Sequence, residues 1–309
     1  MNLKAAFKTM RLRTLPLSMA GVLMGILLAT ADYHVDLWAA VLIVVTTVCL
    51  QILSNLSNEL GDVLHGTDTA ERVGPQYGLN PGDLTVRDMK RLIGLFVFLC
   101  MISGTATILV SFGTLVDLKH PLAEMDWTPT LLLLLGAGAI MSAMRYTLGR
   151  NPYGYRGLGD IFVFIFFGLV SVMGSYLVSS HTLFWRMLLP ATAIGCFSVA
   201  VLNVNNIRDM ATDRINRVTV AIRLGEKRAK IYQTVLIVLG WAAMIAYCQL
   251  RIFSLWHYLF VLTLPLYVLH VRGVWQRSDR ELDPMLPLLV MSTFLFAILS
   301  GVGFCVYLF

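Results

Sequence analysis

The chain is divided into apolar runs long enough to cross a lipid bilayer, and nothing else in the sequence restricts its fold so strongly. A helix of roughly 17 to 25 residues covers the ~30 Å of hydrocarbon in a membrane. Runs of this kind fall at 15–31, 37–57, 92–112, 129–148, 159–179, 185–205, 231–250, 252–271 and 285–309. Backbone inside hydrocarbon has to satisfy its own hydrogen bonds, so each run is expected to be a helix. The predicted fold is all-α: a polytopic membrane helical bundle of about nine transmembrane helices, forming one domain over residues 1–309. Composition agrees, since 57% hydrophobic and 14% charged residues with a mean hydropathy of +0.74 do not describe a water-soluble domain.

The basic residues orient the bundle. All of the 24 Lys and Arg except Lys119, Arg186 and Arg251 fall on the side of the N-terminal tail. Because cytoplasmic segments keep the excess of Lys and Arg, this predicts a cytoplasmic N-terminus and, with an odd number of spans, an external C-terminus. The same rule accounts for most of the net charge of +6 without nucleic acid as a partner. The first 15 residues read as an interfacial helix leading into a retained span rather than a cleaved signal peptide. Cys49, Cys100, Cys196, Cys248 and Cys305 all lie in predicted spans without CxxC spacing, and the six histidines form no HExxH set. A transition-metal site is therefore not expected.

Polar chemistry collects on the N-terminal side, in long connections at about 58–91 and 206–230 and a shorter one at 145–160. The two long connections open alike. In "NLSNELGDVLHGTD" (55–68), Asn58 and Asp62 are four apart and Asp68 follows; in "NNIRDMATDR" (205–214), Asn205, Asp209 and Asp213 are spaced by four. Residues at i, i+4 and i+8 share a helix face, so these groups are expected to project together from the ends of the second and sixth spans. Carboxylates gathered near hydrocarbon repel one another unless a cation lies between them. The plain alternative is that they pair with Arg208, Arg214 and Arg72 as ion networks. The repeated opening at one membrane face favours a shared site for Mg²⁺, which takes hard oxygen ligands, water and substrate phosphates. A ligand that is part phosphate and part hydrocarbon, such as a prenyl diphosphate, suits that position.

These residues resemble the UbiA superfamily of membrane prenyltransferases, whose two acidic motifs open in NxxxDxxxD-like fashion. The similarity is carried by "RLRTLPLSMAGVLMG" (11–25), "NLSNELGDVLHGTDTAERVGP" (55–75), "PYGYRGLGD" (152–160), "FFGLVSVMGSY" (166–176), "LNVNNIRDMATDR" (202–214) and "RLG" (223–225). It is nearest to the branch that prenylates 1,4-dihydroxy-2-naphthoate with decarboxylation, giving demethylmenaquinol. The resemblance implies that Asn58, Asp62 and Asp68 hold one Mg²⁺–diphosphate unit and Asn205, Asp209 and Asp213 the other, with the four aspartates as the catalytic set. Arg72 falls at the family's basic position after the first motif. After the second motif the family pattern is irregular here, and Arg217 stands where Lys is usual. The aromatic acceptor needs a cation, a flat apolar surface and hydrogen-bonding groups, which Arg145, Tyr146, Tyr153, Tyr155, Arg156 and Asp160 offer. Expected partners are thus a polyprenyl diphosphate, the naphthoate and the lipid bilayer, in a bacterial cytoplasmic membrane. Another aromatic acceptor, 4-hydroxybenzoate or homogentisate, is the within-family alternative. A cation-coupled transporter is the alternative from another class, and it would place ionisable groups near the bilayer midplane.

Overall fold

The computed structural model describes residues 2–66, 78–79, 82–117, 120, 124–214 and 217–306. A short surface helix, α1 (Leu3–Thr9), precedes nine long ones. These are α2 (Leu15–Asp32), α3 (Leu37–Leu64), α4 (Val86–Phe112), α5 (Thr128–Arg145), α6 (Gly159–Ser180), α7 (Leu188–Arg208), α8 (Glu226–Gln249), α9 (Leu255–Gln276) and α10 (Met285–Val306). Among the described residues nine helical segments are long and apolar enough to cross a membrane, as the sequence predicts, and the chain is an integral membrane protein.

Local signals set several ends. The Asp36 carboxylate accepts from the Ala39 amide (2.8 Å) to start α3, and Thr85 and Asp88 form a reciprocal capping box at the start of α4. Helix α4 stops at Gly113, which takes the left-handed conformation (φ 71°) that a side chain would resist.

Two predicted boundaries differ from the structure. Helix α3 runs through Leu64, past the predicted end at residue 57, and carries Asn58 and Asp62 on one helix as their spacing implies. Its polar end stays wound because it is buried on nearly every side, Asn55, Ser57, Glu59 and Asp62 included. Conversely, Asn205, Asp209 and Asp213 do not lie on one continuous helix: α7 ends at Arg208, Asp209 turns out of helical geometry (φ −92°, ψ 7°), and a one-turn helix covers Met210–Asp213. The hydroxyl and amide of Thr212 both bond the Asp209 carbonyl, a local competitor for the helical ladder. The spacing survives, since the Asp209 amide bonds Asn205 O (3.0 Å) and the Asp213 amide bonds Asp209 O (2.9 Å).

Small residues let the backbones approach. Gly168 of α6 lies against Gly195 of α7, where a Cβ would stand 2.6 Å from the Gly195 Cα. Along α2, Gly21 and Gly25 face Ser171 and Ser175 of α6. The stretch Phe164–Met173, which contains Gly168 and Ser171, is wound as a π-helix, which the predicted α-helical span did not include. A Cβ at Gly25 would collide with both the Ser175 hydroxyl and the Val172 backbone carbonyl, and no rotamer moves a carbonyl. Gly25→Val is expected to cost about 3 kcal/mol or more, read as a lower thermal midpoint in detergent and a smaller yield of monodisperse protein.

One core packs α2, α6, α7, α8, α9 and α10 together around Phe197, Tyr267 and Phe296. A second joins α1, α3 and α4 around Leu53, Leu56 and Met89. Between the two lies a cavity of about 1420 Å³, with α5 and α6 forming much of its wall.

Candidate active site

The cavity is apolar along most of its length, with Val22, Ile43, Leu132, Phe166 and Val170 on its walls. Polar side chains gather at one end: Asn58, Asn205, Arg208 and Asp283, with Arg11, Arg13 and Gln51 nearby. The two predicted motifs meet here, although they are far apart in sequence.

The first motif is carried by α3. The Asn58 side-chain oxygen accepts from the Thr147 hydroxyl (3.3 Å), and Asp62, 4% exposed, accepts from the Tyr155 hydroxyl (2.7 Å). The second motif closes α7. Arg208 holds both oxygens of Asp209 (2.8 and 2.7 Å), and it also donates to the Asn205 oxygen (2.9 Å) and to Asp283 (2.9 Å). Arg217 joins the motifs. Its guanidinium lies 3.4 Å from Asp62 and 3.2 Å from Asp213, the latter an ion contact without hydrogen-bond alignment, and it covers the Tyr155 ring at 5.3 Å. Burial works against the charge of Arg217, and Asp62 and Asp213 more than offset it, so its pKa is raised. The third connection is stitched to the same place. The Val218 amide donates to Tyr155 O (3.0 Å), and Arg156 and Val218 form an isolated bridge.

Tyr146 and Tyr153 line the cavity, as the acceptor reading expects. Tyr153 stacks on Phe162 (3.9 Å between centroids), meets Tyr146 edge-on (5.4 Å) and donates to the Ser142 carbonyl (2.8 Å). Burial pushes its phenol upward in pKa, partly offset by Ser142. Tyr155 faces Asp62 instead. Asp160 is buried and accepts from the Tyr232 hydroxyl (3.1 Å), off the cavity wall. Arg145 and Arg156 are exposed and outside the lining, Arg145 in the last turn of α5, where a basic residue also suits the helix dipole. Asp68 and Arg72 lie outside the described residues.

The ion-pair alternative is right about Arg208 and Asp209. Arg214 contacts Met210 instead, with its NH2 3.5 Å from the sulfur. That alternative does not foresee one cation shared by both motifs. Sequence reasoning also passed over Asp283, the last acid of "DRELDP" (279–284), and gave no role to Arg11 and Arg13, although "RLRT" was among the similar segments. Arg11 takes a left-handed backbone (φ 51°) at the turn that brings both arginines to the cavity.

The donors present suit a divalent cation of the Mg²⁺ kind. They are carboxylate and amide oxygens, and a positive group already bridges Asp62 and Asp213. Among the described residues no three acidic, Cys or His side chains converge into a cage, so such an ion would draw further ligands from water and substrate phosphate.

An apolar chamber with paired acidic motifs and arginines gathered at one end defines the class, and the chain belongs to the UbiA prenyltransferase family, whose model matches residues 18–298. It is 40% identical over 283 residues to the 1,4-dihydroxy-2-naphthoate octaprenyltransferase of Escherichia coli (strain K12), covering 91% of this chain and 87% of that one. It is 35% identical over 306 residues to the protein of the same name from Haemophilus influenzae, with 98% and 96% covered. In fold it is similar to a UbiA homolog from Aeropyrum pernix K1, with a TM-score of 0.68 at 18% identity over 97% of this chain and 98% of that one.

Proposed function

We propose that this protein transfers a polyprenyl group from its diphosphate to 1,4-dihydroxy-2-naphthoate, releasing CO₂ and diphosphate and yielding a demethylmenaquinol. The single observation that carries the reading is that Arg217 bridges Asp62 and Asp213, one acid of each motif, while Asn58 and Asn205 of the same two motifs line the apolar cavity. The names of the two relatives at 40% and 35% identity support the choice of acceptor.

Asn58 and Asp62 on one side, and Asn205, Asp209 and Asp213 on the other, would hold Mg²⁺, with Asp68 completing the first motif. The ion they would hold would supply positive charge to offset the negative charge on the departing diphosphate. Arg217 and Arg72 supply further positive charge to the same oxygens. Tyr155 holds the Asp62 carboxylate in place through its hydroxyl. The leaving diphosphate takes the C–O electron pair, and the prenyl cation left behind needs protection from water, which the apolar walls provide. The electron-rich naphthalene ring forms the new C–C bond, and the electron pair of the lost carboxylate returns to the ring. Tyr146, Tyr153 and Phe162 offer the flat surface against which that ring stacks. Asp160, bonded to Tyr232, braces the chain behind them.

The motif-bearing face is cytoplasmic in this reading, the C-terminus external, and the whole chain one domain in a bacterial cytoplasmic membrane. The test is competition: purified protein receives one labelled prenyl diphosphate, Mg²⁺ and an equimolar mixture of the naphthoate, 4-hydroxybenzoate and homogentisate. Prenylated naphthoate product is expected to dominate. Products from the hydroxybenzoate or homogentisate in its place would overturn the choice of acceptor.

A further inference from the structure

A chain of uncharged polar groups runs through the core behind the site. Asn203 on α7 donates to the Ala229 carbonyl (3.0 Å) and to Gln233 Oε1 (2.8 Å) on α8. The Gln233 amide nitrogen lies 2.9 Å from His270 Nε2 on α9, and His270 Nδ1 lies 3.0 Å from the Met285 carbonyl at the start of α10. Asn203, Gln233 and His270 are all 0% exposed.

The partners leave one arrangement of protons. A carbonyl only accepts, so His270 Nδ1 carries the hydrogen and donates to Met285. His270 Nε2 then accepts from the Gln233 NH₂, which leaves Gln233 Oε1 to accept from Asn203. A buried group in such a chain is costly to leave unpaired, so the four helices are held at fixed separations.

Both ends of the chain stand next to the site. Asn203 is two residues before Asn205, which lines the cavity, and Met285 is two residues after Asp283, which Arg208 grips. Arg208 in turn holds Asn205 and both oxygens of Asp209. We infer that Asn203, Gln233 and His270 are positioning residues: they fix the separation of α7 from the start of α10, so that Asp283 meets Arg208 and the second acidic motif is set for the diphosphate. This deepens the reading under Proposed function and rests on it. The last two helices, which show hydrophobicity but no motif, thereby acquire a part in substrate binding.

The inference separates three properties that a merely structural role would move together or not at all. His270→Phe keeps a ring and removes both hydrogen bonds, whereas His270→Asn presents an amide donor near the Nδ1 position and can keep the Met285 bond. Asp283→Asn leaves the chain intact and weakens the clasp. Retention of labelled farnesyl diphosphate with Mg²⁺ is measured on detergent-solubilised full-length protein, together with KM for each substrate and the thermal midpoint.

His270→Phe and Asp283→Asn are each expected to weaken farnesyl diphosphate binding on the order of tenfold, the ratio that 1.4 kcal/mol gives, with KM for the naphthoate nearly unchanged. The double variant should bind no worse than the weaker single one, because both act through one contact. His270→Asn should recover most of the loss. The inference is overturned if His270→Phe only lowers the thermal midpoint, if both KM values rise alike, or if the two losses multiply. Should His270→Phe not fold, wild-type diphosphate binding by Asp283→Asn overturns it equally. Because binding is read without acceptor, wild-type protein that binds farnesyl diphosphate and fails to prenylate the naphthoate counts against the proposed function, not against this inference.

Discussion

Asp62→Asn and Asp209→Asn are each expected to lower prenyl transfer roughly 100- to 1000-fold, the loss that follows removal of a group stabilising developing charge, while the protein still assembles in membranes. Asn keeps the size of Asp and one oxygen acceptor, so the Tyr155 hydroxyl keeps its partner at position 62, whereas at position 209 one of the two Arg208 bonds is lost because the amide NH₂ cannot accept. What disappears is the negative charge. At Asp62 that charge faces Arg217 in a buried setting, and at Asp209 it faces Arg208. At Asp62, where Tyr155 and Arg217 both donate to one oxygen, the change separates chemistry from architecture. Turnover of a prenyl diphosphate and the naphthoate, measured with membrane-extracted protein whose thermal midpoint is recorded alongside, checks it. Transfer within a few-fold of wild type in either variant would remove that carboxylate from the site.

The second large effect is expected at Arg217. The side chain is 13% exposed and stands between Asp62 and Asp213, so Arg217→Leu leaves two buried carboxylates without their shared cation. Taking one partner from a buried ion pair typically costs about 3 to 5 kcal/mol. Arg217→Leu should therefore lose both stability and transfer. Arg217→Lys retains the charge but not the planar reach to two acids, and should fall between leucine and wild type. Mg²⁺ sharpens the prediction: an ion that enters between the two motifs should raise the thermal midpoint of Arg217→Leu more than that of wild type. Equal shifts in the two proteins would place the cation elsewhere.

The nine spans were legible because hydrocarbon permits few backbone solutions and long apolar runs advertise them. The acidic motifs were legible because the same spacing occurs twice at one membrane face. Their local geometry was less so. Burial on nearly every side keeps α3 wound past the predicted end at residue 57, and Thr212 helps to end α7 one residue before Asp209, contacts that spacing does not encode. The positions of Arg145 and Arg156, exposed and off the cavity lining, were not legible, because an arginine at a membrane face serves topology and binding equally well in sequence. Asp283 had no motif around it. Its place follows from Arg208 and from the hydrogen bond that ties His270 to Met285. The π-helical winding of Phe164–Met173 leaves no mark in an almost uniformly apolar stretch.

The most direct test is mass analysis of the product formed by purified protein from octaprenyl diphosphate and 1,4-dihydroxy-2-naphthoate, with Mg²⁺ in one reaction and excess EDTA in the other. The expected result is a prenylated dihydroxynaphthalene lacking the carboxylate, formed with Mg²⁺ and absent with EDTA. A product that keeps the carboxylate, equal yield in EDTA, or recovery of both substrates unchanged in the presence of Mg²⁺ would contradict it.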